Sequence, residues 1–102
     1  MDGGSPAVPI RSPKWFFAAA LVLAAPETPG VFELWEGEEA VFIGATRGSR
    51  QSLRECLVHE MGVHDATHFS WEITYRAEAR QRELLEEYEA AHHRPPKLND
   101  AG

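Results

Sequence analysis

Residues 30–44, GVFELWEGEEAVFIG, constrain this chain more than any other stretch. Two runs of β-branched and aromatic residues flank Glu36-Gly37-Glu38-Glu39, where Gly37 is free to take the positive φ of a tight turn. The spacing predicts a β-hairpin with strands over residues 30–35 and 40–44. Each strand also carries an aromatic near a glycine at its far end, in Gly30-Val31-Phe32 and Phe42-Ile43-Gly44. A hairpin needs alternation and a turn but not those endpoints, so the echo asks for a separate cause.

The flanking segments supply the rest of a small domain. Residues 15–25, WFFAAALVLAA, form an apolar run between Pro13 and Pro26, with Ser12 placed as a helix cap and Pro13 at the first helical position. The run predicts a core helix packed on the sheet, and it falls short of the roughly 20 residues that span a bilayer. A partner-binding helix and a signal-peptide core are the other readings of the same run. Leu53, Cys56, Leu57 and Met61 follow helical spacing over residues 51–61, with Ser49 or Ser52 as cap and Gly62 as stop. In ATHFSWEITY, Phe69, Trp71, Ile73 and Tyr75 alternate with polar neighbours and predict a third strand with one buried face. Residues 77–92 place Leu84, Leu85, Tyr88 and Ala91 on one helical stripe, and the prolines of RPPKLND end it. Residues 1–11, rich in Gly and Pro, are expected as a flexible tail, and residues 12–102 as a single domain. The expected fold is α+β: a small three-stranded antiparallel sheet flanked by helices, with an extra helix in front.

Composition narrows the partners. The chain has 16 Asp and Glu against 10 Lys and Arg, so its net charge of −6 supplies no long-range attraction for nucleic acid. A polyanion would have to meet a local basic patch, and Arg47, Arg50 and Arg54, with Lys14, are the candidates. The single cysteine, Cys56, has no internal disulfide partner, and no cleavage site follows an apolar leader. A reducing, cytoplasmic setting without membrane association is the expectation. In HEMGVHDATH, His59 and His64 are five residues apart, about 140° round a helix, unlike the four-residue spacing of zinc-protease helices. Cys56 sits at an apolar helical position and reads as core.

Taken in order, PGVFELWEGEEAVFIG, SLRECLVHE, EARQRELL and RPPKLN resemble the GIY-YIG nuclease superfamily, over residues 29–99. The resemblance implies a GIY-YIG endonuclease-like fold and single-metal phosphodiester hydrolysis. In that chemistry a glutamate on the last helix holds Mg²⁺ or Mn²⁺, a tyrosine hydroxyl helps activate water, and an arginine stabilises developing charge. A late asparagine supports the architecture. Carried onto this sequence, Glu83 matches the metal ligand, Asn99 the asparagine, and His59 a histidine one turn beyond the arginine. Phe32 and Phe42 occupy the two tyrosine positions and lack the hydroxyl. Aligning Leu53 and Leu57 with the family helix puts Cys56 on the arginine position. Arg54 then lies about 200° away, unless a loop shift brings Arg54, Arg47 or Arg50 to the phosphate.

Three functions follow. The first is a nuclease-like domain with impaired or absent catalysis that binds nucleic acid or a protein partner. The second is an active metal-dependent endonuclease in which a histidine such as His59, or a metal-bound water, replaces the tyrosine. The third is an unrelated small interaction module. An active enzyme requires Phe32, Phe42, Glu83 and an arginine in one cleft. A non-catalytic binder leaves Glu83 paired or turned away from any groove, and an interaction module exposes an apolar patch.

Overall fold

The computed structural model describes residue 10 and residues 13–99. The elements run β1 (Trp15–Phe16), α1 (Ala19–Val22), β2 (Gly30–Glu36), β3 (Glu39–Ala45), α2 (Leu53–Met61), β4 (His68–Ile73) and α3 (Ala77–His92). The strands form one antiparallel sheet in the order β1-β4-β2-β3. The class is α+β, as expected.

The hairpin of β2 and β3 forms around Gly37, whose φ of 60° is the positive value the turn requires. Phe32 pairs with Gly44 and Leu34 with Phe42, after which the register shifts so that Trp35 pairs with Ala40. The shift is a bulge, and it puts Val41 and Phe42 against the same core cluster. The glycines at the hairpin's far ends are steric requirements. A Cβ on Gly44 would collide with the Phe32 ring, and one on Gly30 would collide with the Glu72 carbonyl and the Leu53 side chain. At Gly44 the aromatic is set across from the glycine because the Phe32 ring of the facing strand fills the space a side chain would need, whereas Gly30 makes room for the β4 backbone and Leu53.

Two cores lie on the two faces of the sheet. Phe32, Leu34, Val41 and Phe69 meet Val22 of α1 and Leu53 and Leu57 of α2 on one face. Val31, Ala40 and Ile43 meet Ala77, Leu84 and Tyr88 of α3 on the other. Ser52, rather than Ser49, caps α2 in a reciprocal capping box with Glu55. The last helix runs over residues 77–92 as its stripe predicts, and ends at His93 in the left-handed conformation.

The amino-terminal segment departs from expectation and makes the sheet four-stranded instead of three-stranded. In place of an eleven-residue helix, Trp15 and Phe16 pair with Phe69 and His68, and Phe17 N–H donates to the Thr67 carbonyl at 3.0 Å. Only Ala19–Val22 are helical. Aromatic residues favour strands, and the open edge of β4 offers hydrogen bonds that a helix beginning at Trp15 would forgo. The expected Ser12 cap and the flexible tail over residues 1–11 lie outside the described residues, apart from Ile10, which packs against the second core. Among the described residues, no helix is long and apolar enough to cross a membrane.

Gly44→Ala is expected to destabilise the protein by about 1–3 kcal/mol, the usual cost of an overpacked site, because the new methyl enters the Phe32 ring. Chemical denaturation checks it. The double variant Gly44→Ala/Phe32→Leu should cost less than the two single changes summed.

Candidate functional site

A cleft of about 390 Å³ opens beside the edge strand β3, between α2 and the first turns of α3. Phe32, Phe42 and Gly44 are part of its lining. The two ring centroids are 5.9 Å apart and the planes tilt by 39°, while Phe42 also contacts the His64 ring at 5.1 Å. Both tyrosine positions of the resemblance therefore meet in one place, without hydroxyls.

Helical phase decides what α2 contributes. Leu53 and Leu57 point into the core, which turns Cys56, His59 and Glu60 toward the cleft. Arg54, about 200° from Cys56 on the helix, leaves in another direction. Its Nε donates to the Ala25 carbonyl at 3.0 Å and its Nη1 pairs with Glu27 at 2.9 Å. Of the expected basic residues, Arg47 lines the cleft and Arg50 stands exposed on the loop. Lys14 sits at the hairpin turn, 4.2 Å from the Trp35 ring centroid and 3.4 Å from the Gly37 carbonyl. The four cations do not gather.

Phase also divides α3. Glu78 and Gln81, three residues apart, face the cleft. Arg80 faces β4 instead, gripping Glu72 with two hydrogen bonds of 2.8 and 3.1 Å, and it holds the exposed Glu83 at 3.2 Å. Glu83 thus stands apart from Phe32, Phe42 and His59. Sequence reasoning missed Glu78 and Glu60. Glu78 was findable, because the buried positions Ala77, Leu84 and Tyr88 fix the phase of the helix.

Asn99 closes the edge of the sheet. Its Oδ1 accepts from Ile43 N–H at 2.8 Å and its Nδ2 donates to the Ile43 carbonyl at 3.0 Å, while Leu98 N–H donates to the Val41 carbonyl at 2.8 Å. Gln81 Nε2 adds a second bond to the Ile43 carbonyl at 3.1 Å. The side chain does what a neighbouring strand would do, holding β3 where Phe42 and Gly44 form the cleft.

Burial pushes the Cys56 thiol up to about 11, and the carboxylates of Glu60 and Glu55 push the same way. The group is an uncharged thiol at neutral pH. Glu60 Oε1 is buried and lies 3.3 Å from His64 Nε2 without forming a hydrogen bond. The ligand implied for Mg²⁺ or Mn²⁺, Glu83, is engaged with Arg80. Among the described residues, no three His, Cys, Asp or Glu side chains are grouped to hold an ion.

Two outcomes are expected. Alkylation of Cys56 by iodoacetamide at pH 8 should be roughly a hundredfold slower than that of an unperturbed cysteine, following the smaller thiolate fraction. Asn99→Ala, which leaves Ile43 N–H without its acceptor, should cost about 1–3 kcal/mol in denaturant unfolding. Asn99→Asp should cost less, because it keeps that acceptor and Gln81 still serves the carbonyl. No family model matches this chain, and no curated protein or solved structure matches it.

Proposed function

We propose that this chain is a non-catalytic binding module of GIY-YIG-like architecture, whose cleft over Phe32 and Phe42 holds a polypeptide partner. The observation that carries the reading is the dispersal of the hydrolytic set. Glu83 is tied to Arg80, Arg54 is tied to Glu27, and the two rings of the cleft have no proton to give.

The lining favours a polypeptide over a nucleic acid. Glu60 and Glu78 stand against one guanidinium, Arg47, and the chain carries a net charge of −6, so a phosphate backbone would meet repulsion at both ranges. Gln51 accepts from Arg47 N–H at 2.8 Å through one end of its amide, and Gln81 donates to the Ile43 carbonyl through one end of its own. The remaining donor and acceptor match the needs of an extended backbone. A reducing cytoplasmic setting accompanies this reading, supported by the unpaired Cys56. The competing reading, a divalent-metal endonuclease, is favoured by one observation: Glu78 places an α3 carboxylate in the cleft.

The test has two arms. Labelled single-stranded, duplex and branched DNA incubated with the protein and Mg²⁺ or Mn²⁺ should show no cleavage above that of Glu78→Ala and Glu83→Ala. Chelator-sensitive cleavage lost in either variant would overturn the proposal. Peptides selected from a random display library on the native protein should lose about tenfold or more in affinity for Glu78→Lys. Selected peptides indifferent to that change would place binding outside the cleft and sink the reading.

A further inference from the structure

The phenylalanine cleft takes in one end of strand β3, and the backbone there is unfinished. Thr46 N–H donates to the Gly30 carbonyl at 3.0 Å, so these two residues bond inward across the hairpin. By the alternation of an antiparallel ladder, Phe32 and Gly44 do the same, while Ile43 and Ala45 turn their N–H and C=O groups out along the open edge. Asn99 meets both groups of Ile43, at 2.8 and 3.0 Å. One step further along, neither group of Ala45 has a partner among the described residues, and Ala45 is a half-buried part of the cleft lining. The edge is covered at Val41 and Ile43 and left open where it enters the cleft.

The two faces of the sheet sort what a partner would bring. Phe32 and Phe42 lie on the α2 face. Ala45 faces the other way and packs with Val31 on the α3 side, from which Glu78 and Gln81 enter the cleft. In a strand added to β3, the residue opposite Ala45 would send its side chain to the α3 side. Its neighbour opposite Gly44 would send its own to the α2 side, against the two phenylalanine rings, with no glycine side chain in the way.

Charge says which side chain suits the α3 side. A second concavity, of about 510 Å³, lies between the hairpin and the second half of α3 and holds Glu33. Its surface acids already face the chain's own cations, Glu38 with Lys14 at 4.0 Å and Glu39 with Arg94 at 3.2 Å. In the phenylalanine cleft, Glu78 is exposed and pairs with no cation among the described residues.

We propose that the cleft takes its partner as an added β-strand: an extended peptide whose N–H and C=O pair with those of Ala45, with a lysine or arginine at that residue meeting Glu78 and an apolar neighbour meeting Phe32 and Phe42. The proposal rests on the reading of the cleft as a polypeptide site. Main-chain pairing supplies affinity, and the alternating side chains supply selection. Gln81, which donates to the Ile43 carbonyl through Nε2, keeps its amide oxygen to accept from the peptide.

The probe is the peptide acetyl-Thr-Val-Lys-Val-Thr-amide, titrated into the full ¹⁵N-labelled chain. Saturable shifts are expected at the Phe42, Gly44 and Ala45 amides, with the Ala45 proton moving downfield and exchanging more slowly as its bond forms. N-methylation of the lysine backbone nitrogen removes the peptide's donor and keeps every side chain, and it should weaken binding about tenfold or more. Norleucine in place of the lysine should weaken binding to the native chain but not to Glu78→Gln, whose spectrum reports that the fold is retained. Cleft shifts indifferent to N-methylation, or a norleucine penalty that persists in Glu78→Gln, would overturn the proposal and leave the cleft a polypeptide site. Saturable shifts away from the cleft would overturn both. No saturable shift at millimolar peptide would overturn strand addition alone, because the broader reading answers to the library-selected peptides.

Discussion

The Phe32 ring occupies the space that a Cβ on Gly44 would need, and this contact across the strands sets the register of β2 against β3. A slip of one residue would turn every side chain of the hairpin to the other face. Phe32 and Leu34 would leave the core under α2, and Glu33 would leave the α3 side for an apolar interior. Because β2 also pairs with β4 through Phe32 and Trp71, the register set at Gly44 passes to the whole sheet. Both concavities inherit it, one floored by Phe32 and the other holding Glu33.

Helix α3 then distributes chemistry by angle. Ala77, Leu84 and Tyr88 bury one stripe against the sheet. Glu78 and Gln81 reach past one side of that stripe to the cleft, Arg80 reaches Glu72 of β4 with Glu83 paired beside it, and Glu87 lines a pocket between the hairpin and the second half of the helix. A helix crowded with glutamates looks uniform when read as a string. On the sheet its carboxylates have different neighbours, and only some of them face a space that a ligand can enter.

Much of this arrangement was legible in the sequence. The hairpin followed from alternation around Gly37, α3 from its stripe, and the divergence of Arg54 from Cys56 from helical geometry alone. What was hidden depended on distant partners. Trp15 and Phe16 form a strand because β4 has an open edge, and an apolar run without periodicity cannot announce that. Matching Glu83 by its neighbours in the chain uses no helical phase, and the phase that Ala77 and Leu84 impose is what turns Glu78 toward the cleft. The bulge at Leu34 and Trp35, which sends Val41 and Phe42 to one face, leaves no mark in a pattern read two residues at a time.

The edge of β3 is covered by few contacts: Leu98 on Val41, Asn99 on both groups of Ile43, and the amide of Gln81. These residues belong to a short coil and a helix surface rather than to a paired strand. Loosening that coil would expose a row of unpaired amides and carbonyls while both cores stayed intact. Another copy's strand could then dock along β3. A local clasp therefore stands between that edge and fibrillar or swapped assembly, and it can open without the two cores coming apart.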